Sequence, residues 1–376
     1  MRNAHLKRCE KFIKSRIALF NLDLSGLTVY TELGSRNYAF TCVTAAMAGA
    51  KKVYAISRTS RYGTFEDNLD KLEYITRTLN IQNIHDKIEV VDVKRREHLQ
   101  EADIVTNSGF VRPIDQNTLS MMKTTAVISL MYETWEFREA DIDLESCHSK
   151  GILVLGTVEE CPPMDIMRYS GFLASKLLFE CGMGVHKDNV LILGSGRLGN
   201  NLAHFMGVNG IDFSWISLDA HVRAENRQYL SEIEEVKRGL SKFDAIIVGE
   251  HYHSIELIGE NGIIKTDVLS EENPLVQIIH ICGNINVDDI KKYGLYVYPE
   301  HVMPFGYMST SVDYLGPKAT IELNIAGLKV GEIMARNRLK YDLVKAYKES
   351  IKHSLVDDFS QNICYKNQNR NYSISP

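Results

Sequence analysis

Apolar residues along this chain fall into two alternating textures. Short unbroken runs of aliphatic and β-branched residues give way to longer stretches in which apolar positions recur three or four apart. The runs lie at residues 27–30, 52–56, 88–91, 104–106, 126–130 and 152–154, and again at 190–193, 213–216, 245–248, 278–281 and 295–298. Runs that are continuous rather than alternating predict strands covered on both faces, as in parallel sheets. Helical spacing between them predicts helices over 38–48, 66–79, around 119–122 and over 166–181, where Met167, Gly171, Ala174, Leu177 and Leu178 share a face. Residues 1–24 also read as helical, with Phe12, Ile13, Ile17 and Phe20 apolar. A last helix is expected over about 317–336, with Pro317 suited to its first turn. The order strand–helix–strand, repeated twice, predicts an α/β chain with two parallel sheets. Pro162-Pro163 marks a break between them, and the polar tail after Asp358 reads as loosely ordered.

Composition narrows the class. The 376 residues allow about two domains, and 44% hydrophobic with 24% charged residues is ordinary for a globular protein. A net charge of -5, with no basic run interleaved with aromatics, argues against a nucleic-acid partner. No window approaches the ~20 apolar residues a membrane span needs. The first residues lack the apolar stretch of a signal peptide. The seven cysteines (Cys9, Cys42, Cys147, Cys161, Cys181, Cys282, Cys364) are scattered, odd in number and without zinc spacing, so a reduced, cytoplasmic setting and no metal site are expected.

The strongest chemical signal follows the strand at 190–193. Gly194-Ser195-Gly196-Arg197-Leu198-Gly199 has the spacing GxGxxG, and it opens a helix, read as 200–206, that ends near Gly210 before the next strand. That context is the one a dinucleotide turn requires. Gly194 permits the tight turn, Gly196 close approach of the pyrophosphate and Gly199 close packing of helix on strand. The helix N-terminus supplies unpaired N–H groups. The fold class is therefore read as α/β, with two Rossmann-like doubly wound parallel-sheet domains. Residues 166–304 would form the NAD(P)-binding domain. The usual acid after the second strand is replaced by Ser217, with Asp219 two residues on and His221 and Arg223 following. Two readings stay open: Asp219 takes the ribose of NAD, or Ser217 and Arg223 hold the 2′-phosphate of NADP. Gly249 and Glu250, with His251 and His253, follow the strand 245–248 at the carboxyl end of the sheet, where ligands bind in this fold. The two histidines lack a third partner for a metal.

Over roughly residues 100–335 the chain resembles the D-isomer-specific 2-hydroxyacid dehydrogenases, with adenosylhomocysteinase a structural relative. Three segments carry the resemblance: residues 101–156, the glycine turn with its spacing to Gly210, and Ile279-His280-Ile281-Cys282-Gly283-Asn284. The resemblance implies that Cys282, Gly283 and Asn284 border the nicotinamide. It also implies that residues 1–165, completed by the C-terminal segment 317–376, form the substrate-binding domain, with substrate in the interdomain cleft and a homodimer as the assembly. His301, in Pro299-Glu300-His301, is similar in place to the family's acid/base histidine. The family's substrate-binding arginine is replaced by Cys282, and its orienting carboxylate has no clear match. The cluster 131–138 would then face the cleft, with Glu133, Glu136 or Arg138 binding substrate, Glu133 or Glu136 as a substitute acid and Trp135 against substrate, or else it is an ordinary helix start with surface charges.

Asn107, Ser108 and Arg112 follow the strand 104–106 and could supply N–H groups and a guanidinium fork to an anion, or form a solvated loop. Glu32-Leu33-Gly34-Ser35-Arg36-Asn37 resembles the glycine loop of a methyltransferase. It has one glycine, however, and the next strand ends in Ser57-Arg58 instead of an acid, so it is read as a substrate-domain turn. The hydroxyls and arginines of 57–63 fit a phosphate or carboxylate, or a solvated surface. The leading expectation is an NAD(P)-dependent oxidoreductase moving hydride between nicotinamide and a secondary alcohol or carbonyl of a small anionic substrate. The alternatives are an enzyme that uses bound NAD transiently, as adenosylhomocysteinase does, and a non-catalytic dinucleotide sensor.

Overall fold

A computed structural model of the chain describes residues 3–79, 84–161, 164–219 and 222–359. Pro162-Pro163, His221 and the tail from residue 360 lie outside the described residues. The described residues up to Asp165 and from Gly316 onward form one compact unit, and Ile166–Leu315 a second. Among the described residues no helix is long and apolar enough to cross a membrane.

The first unit is built on β1 (Thr28–Glu32), β2 (Lys52–Ile56), β3 (Ile88–Val91), β4 (Ile104–Thr106), β5 (Val127–Ser129) and β6 (Leu153–Thr157). These are parallel and lie in the order β3-β2-β1-β4-β5-β6. A short strand, Val356–Asp357, adds to β6 antiparallel, an edge that the sequence pattern did not disclose. The order reverses between β1 and β4, the switch point at which doubly wound sheets hold ligands.

Alternate residues serve opposite faces. Tyr30, Tyr54, Ile56, Val105 and Ile128 share one core. The helix Pro317–Lys340 contacts β4, β5 and β6. It can lie close because Gly327 and Gly331 face the sheet. A methyl on Gly331 would come within 2.6 Å of Ile104 Cγ2, and one on Gly327 within 2.4 Å of Met131 Sδ. The helix runs past the expected 336 to Lys340, where Arg338 donates hydrogen bonds to the carbonyls of Thr124 and Gly151.

The second unit carries β7 (Asn189–Leu193), β8 (Asp212–Ile216), β9 (Ala245–Gly249), β10 (Glu256–Ile258), β11 (Gln277–Cys282), β12 (Asn284–Ile285) and β13 (Tyr296–Tyr298). Its main sheet is parallel in the order β13-β11-β9-β7-β8, and β10 with β12 makes a separate two-stranded ribbon. A parallel bridge joins Trp215 of β8 to Leu230 on its outer edge. With that bridge counted, both units share one strand order.

Side chains along β7 divide between two cores: Val190 and Ile192 join one, Leu191 and Leu193 the other. This is why the run reads as continuously apolar. The stretch expected as one helix over 166–181 is a 3-10 turn, Ile166–Arg168, followed by the helix Tyr169–Glu180.

Candidate functional site

The carboxyl ends of β7, β9 and β11 bring together three segments that are far apart in sequence. The helix after β7 spans Gly196–Val208, so two of the fingerprint glycines belong to its first turn, earlier than the expected 200. Each glycine is demanded by a close approach. A Cβ on Gly194 would lie 2.4 Å from the Gly249 carbonyl oxygen, and one on Gly199 2.3 Å from the Gly194 oxygen. Both neighbours are backbone and cannot rotate aside. Gly196 has φ +58, and a Cβ there would sit 1.7 Å from Cε2 of Tyr252. The space that Gly196 leaves open is therefore held by an aromatic ring of the chain, a contact with no trace in the GxGxxG spacing.

The turn is braced from below. Trp215 Nε1 donates to the Gly194 carbonyl at 2.7 Å, and Ser195 Oγ accepts from Leu218 N–H at 2.8 Å. The second bond ties the segment bearing Ser217 and Asp219 to the turn; Ser217 Oγ in turn accepts from Asp219 N–H at 3.2 Å. Asn200, buried in the helix, accepts from Arg223 N–H at 3.1 Å. The Leu198 side chain is a core residue, whereas Arg197 is partly exposed. Trp215 and Asn200 carry no signal in the sequence because their partners lie 21 and 23 residues away.

After β9, Glu250 is buried at 1% exposure. Its Oε1 accepts from the N–H of Tyr252 (2.9 Å) and of His253 (3.1 Å), and lies 3.3 Å from His253 Nδ1. These bonds fold the loop back so that the Tyr252 ring reaches Gly196. The other oxygen, Oε2, is buried with no hydrogen-bond partner among the described residues. His251 packs its ring 4.1 Å from that of Tyr252. Burial first, then the charges of Arg197 and His253, push its pKa down to about 3, so it stands neutral.

Glu250 N–H donates to the Cys282 carbonyl at 3.1 Å, which joins this loop to the end of β11. There Gly283 takes φ +131, and Asn284 Nδ2 donates to the Ser254 carbonyl at 2.8 Å. His280, fully buried, has Nε2 3.1 Å from the Gly283 carbonyl and Nδ1 2.7 Å from Ser309 Oγ. With Nε2 donating, Nδ1 accepts from the Ser309 hydroxyl. Burial lowers the pKa of His280 and favours that neutral form. In the sequence this histidine is one member of a motif with no role of its own, and the structure makes it the clamp on the Gly283 turn. His301 is exposed and follows β13, the edge strand on the far side of β11 and β9 from the glycine turn.

In the first unit, the predicted residues are held in other ways. Arg112 Nη1 meets Asp141 Oδ2 at 2.6 Å, so the fork expected to wait for an anion already carries a carboxylate. Asn107 Oδ1 accepts from Met131 N–H at 2.8 Å, and the Ser108 hydroxyl shares a hydrogen bond with that of Thr106 at 2.8 Å. Glu133, expected as an acid, is 2% exposed and uses both oxygens: Oε2 accepts from Trp135 Nε1 at 2.7 Å and Oε1 from Glu159 N–H at 3.0 Å. Glu133 and Trp135 thereby brace each other. Glu136 sits in the 3-10 turn Thr134–Glu136, partly exposed.

No family model matches the sequence, and the search of curated proteins found no match. By structure, the chain is similar to a dipicolinate synthase chain from Bacillus halodurans, with 12% identity and a TM-score of 0.53 over 85% of this chain and 100% of that one. The corresponding dipicolinate synthase chain from Bacillus subtilis is similar at 16% identity and a TM-score of 0.54, over 84% and 99%. A D-lactate dehydrogenase with NAD+ from Lactobacillus jensenii gives 10% identity and a TM-score of 0.46, over 82% and 97%. The similarity to the two synthase chains is one of fold, a shared architecture of two parallel-sheet α/β units.

Proposed function

We propose that the second unit binds a nicotinamide dinucleotide along the carboxyl ends of β7, β9 and β11, and that the protein is an NAD(P)-dependent oxidoreductase acting on a small anionic substrate. The observation that carries this reading is the glycine turn itself. It stands at the switch point of a doubly wound sheet, opens a 13-residue helix and is braced by Trp215 and Ser195.

The residues present fit such a cofactor with one adjustment. The first N–H groups of the helix Gly196–Val208 suit a pyrophosphate. Glu250 Oε2, a buried acceptor without a partner among the described residues, suits a ribose hydroxyl. Ser217 and Asp219, tied to the turn through Ser195, suit the second ribose. The Tyr252 ring lies against Gly196 and has to swing aside for a phosphate to reach the backbone there. Cys282, Gly283 and Asn284 would flank the nicotinamide end.

When bound, the dinucleotide accepts or supplies a hydride. The chain's own part is to orient it, to keep His251 neutral beside it, and to exchange a proton with a substrate hydroxyl through His301.

Calorimetric titration with NAD+, NADH, NADP+ and NADPH tests the reading. Heat with one redox pair and none with the other assigns the cofactor, and heat with none of the four sinks the proposal. Once a substrate is in hand, His301→Ala should lower kcat by about 10²–10⁴. Unchanged turnover would remove His301 from the chemistry. The ring of Tyr252 on Gly196 supports a second reading, a dinucleotide sensor without turnover. Binding with no absorbance change against any alcohol or ketoacid would favour it.

A further inference from the structure

The first unit has a cavity of about 280 Å³ at the carboxyl ends of its sheet, lined by residues that follow three different strands. Arg58 follows β2, Lys94 follows β3, and Pro113, Asp115 and Thr118 follow β4; Met121 and Val93 add apolar surface. The order β3-β2-β1-β4 gathers these loops at one end. At this volume the cavity is smaller than most drug-sized pockets and suits a small ligand.

Its charges are arranged in an unusual way. Lys94 Nζ donates to the Pro113 carbonyl and, at 3.0 Å, to Thr118 Oγ1, which leaves its third N–H without a partner among the described residues. The Arg58 guanidinium has no hydrogen-bond or ion-pair partner among the described residues, and it repels Lys94. Two carboxylates, Asp92 and Asp115, also line the cavity, and Asp115 attracts Lys94 more strongly than Arg58 repels it. Asp115 Oδ1 caps the helix Gln116–Met121, accepting from Thr118 N–H at 2.8 Å and Thr118 Oγ1 at 2.6 Å. Asp92 pairs with Arg95 at 3.7 Å. The Arg58 guanidinium and the third N–H of Lys94 thus face one cavity with donors that no acceptor takes among the described residues.

We infer that this cavity is a binding site for the phosphate of a small phosphate monoester, held by the Arg58 fork and the free N–H of Lys94, with Val93 and Met121 against the rest of the molecule. A guanidinium fork beside an ammonium matches the several oxygens of a phosphate better than a single carboxylate. Burial lowers the basicity of Lys94 to about 8, with Asp115 raising it in part and Arg58 adding a smaller lowering effect. This site is separate from the glycine turn and does not depend on the dinucleotide reading.

Lys94 reports on its own occupancy. In the full chain, acetylation of Lys94 by acetic anhydride is followed by peptide mass spectrometry across a pH series, alone and with inorganic phosphate, glycerol 3-phosphate or acetate. Both phosphates should protect Lys94 and move its reactivity midpoint upward, and acetate should do neither. Arg58→Ala, a change at an exposed residue, should weaken phosphate protection by about 10–100-fold, the loss of one charge-assisted contact. It should also raise the midpoint of the ligand-free chain, because the repelling charge is gone. Lys94→Met should abolish the heat of phosphate binding in calorimetry. Protection unaffected by phosphate, equal protection by acetate, or full protection surviving in Arg58→Ala would each overturn the site. A thermal melt of Arg58→Ala without phosphate, matching that of the parent chain, separates lost binding from lost folding.

Discussion

At the end of β7, three hydrogens stand where larger groups would collide, and the collisions differ in kind. Gly194 and Gly199 meet backbone oxygens, so their substitution would disturb the fold, whereas Gly196 meets a tyrosine ring that can rotate. The Tyr252 ring is therefore the movable part of the turn. Replacing it by alanine should tighten dinucleotide binding by roughly 5–30-fold, the worth of not displacing about 1–2 kcal/mol of ring packing. Calorimetry on the two proteins checks this; weaker binding by the alanine variant would make the ring a wall of the site instead of its plug.

His251 gives a second prediction at this scale. Its folded pKa is pushed down to about 3 from an ordinary 6.5, so below pH 6.5 the unfolded chain binds a proton that the folded chain refuses. The stabilisation is whole above pH 6.5 and is lost progressively as pH falls toward 3, at about 1.4 kcal/mol per pH unit. His251→Gln should remove that slope. Urea unfolding at pH 7 and pH 5 should show the parent chain losing about 2 kcal/mol more than the variant. Parallel losses would refute the assignment.

Among elements, the helix Pro317–Lys340 shows how close packing substitutes for bulk. Gly327 and Gly331 are one turn apart and let the helix axis approach β4 and β5, with Ile321, Ile325, Leu328 and Val330 fully buried around them. Gly331→Leu forces side-chain atoms into Ile104 and Ser129. It should destabilise the protein by about 1–3 kcal/mol despite its better helix propensity. A denaturation midpoint that rises in the variant would show that helix and sheet leave room for the larger side chain.

On the scale of the whole molecule, the chain leaves its first unit at Asp165 and returns to it at Gly316. The returning segment is structural: it supplies both the helix on one face of the sheet and the antiparallel strand on β6. Ending the chain after Leu315 should therefore uncover β4, β5 and β6 while leaving every strand of the second unit in place. Limited proteolysis should cut the truncated chain rapidly within residues 28–157 and more slowly within 189–298. Uniform resistance in both regions would mean that the returning helix is dispensable.

The alternation of strand and helix, the parallel character of both sheets and the glycine turn were all written locally. Strand runs, helical spacing and GxGxxG each depend on residues within one or two turns of chain, so neighbours in sequence suffice to specify them. The partners of the site residues were not written there. Arg112 against Asp141, Glu133 under Trp135 and Glu159, Tyr252 on Gly196, and Arg58 beside Lys94 are meetings arranged by sheet order and loop closure. Burial and charge pairing act through space, so whether a carboxylate is a free acid or a brace, and whether a guanidinium waits for a ligand, became definite only once the strands had taken their order.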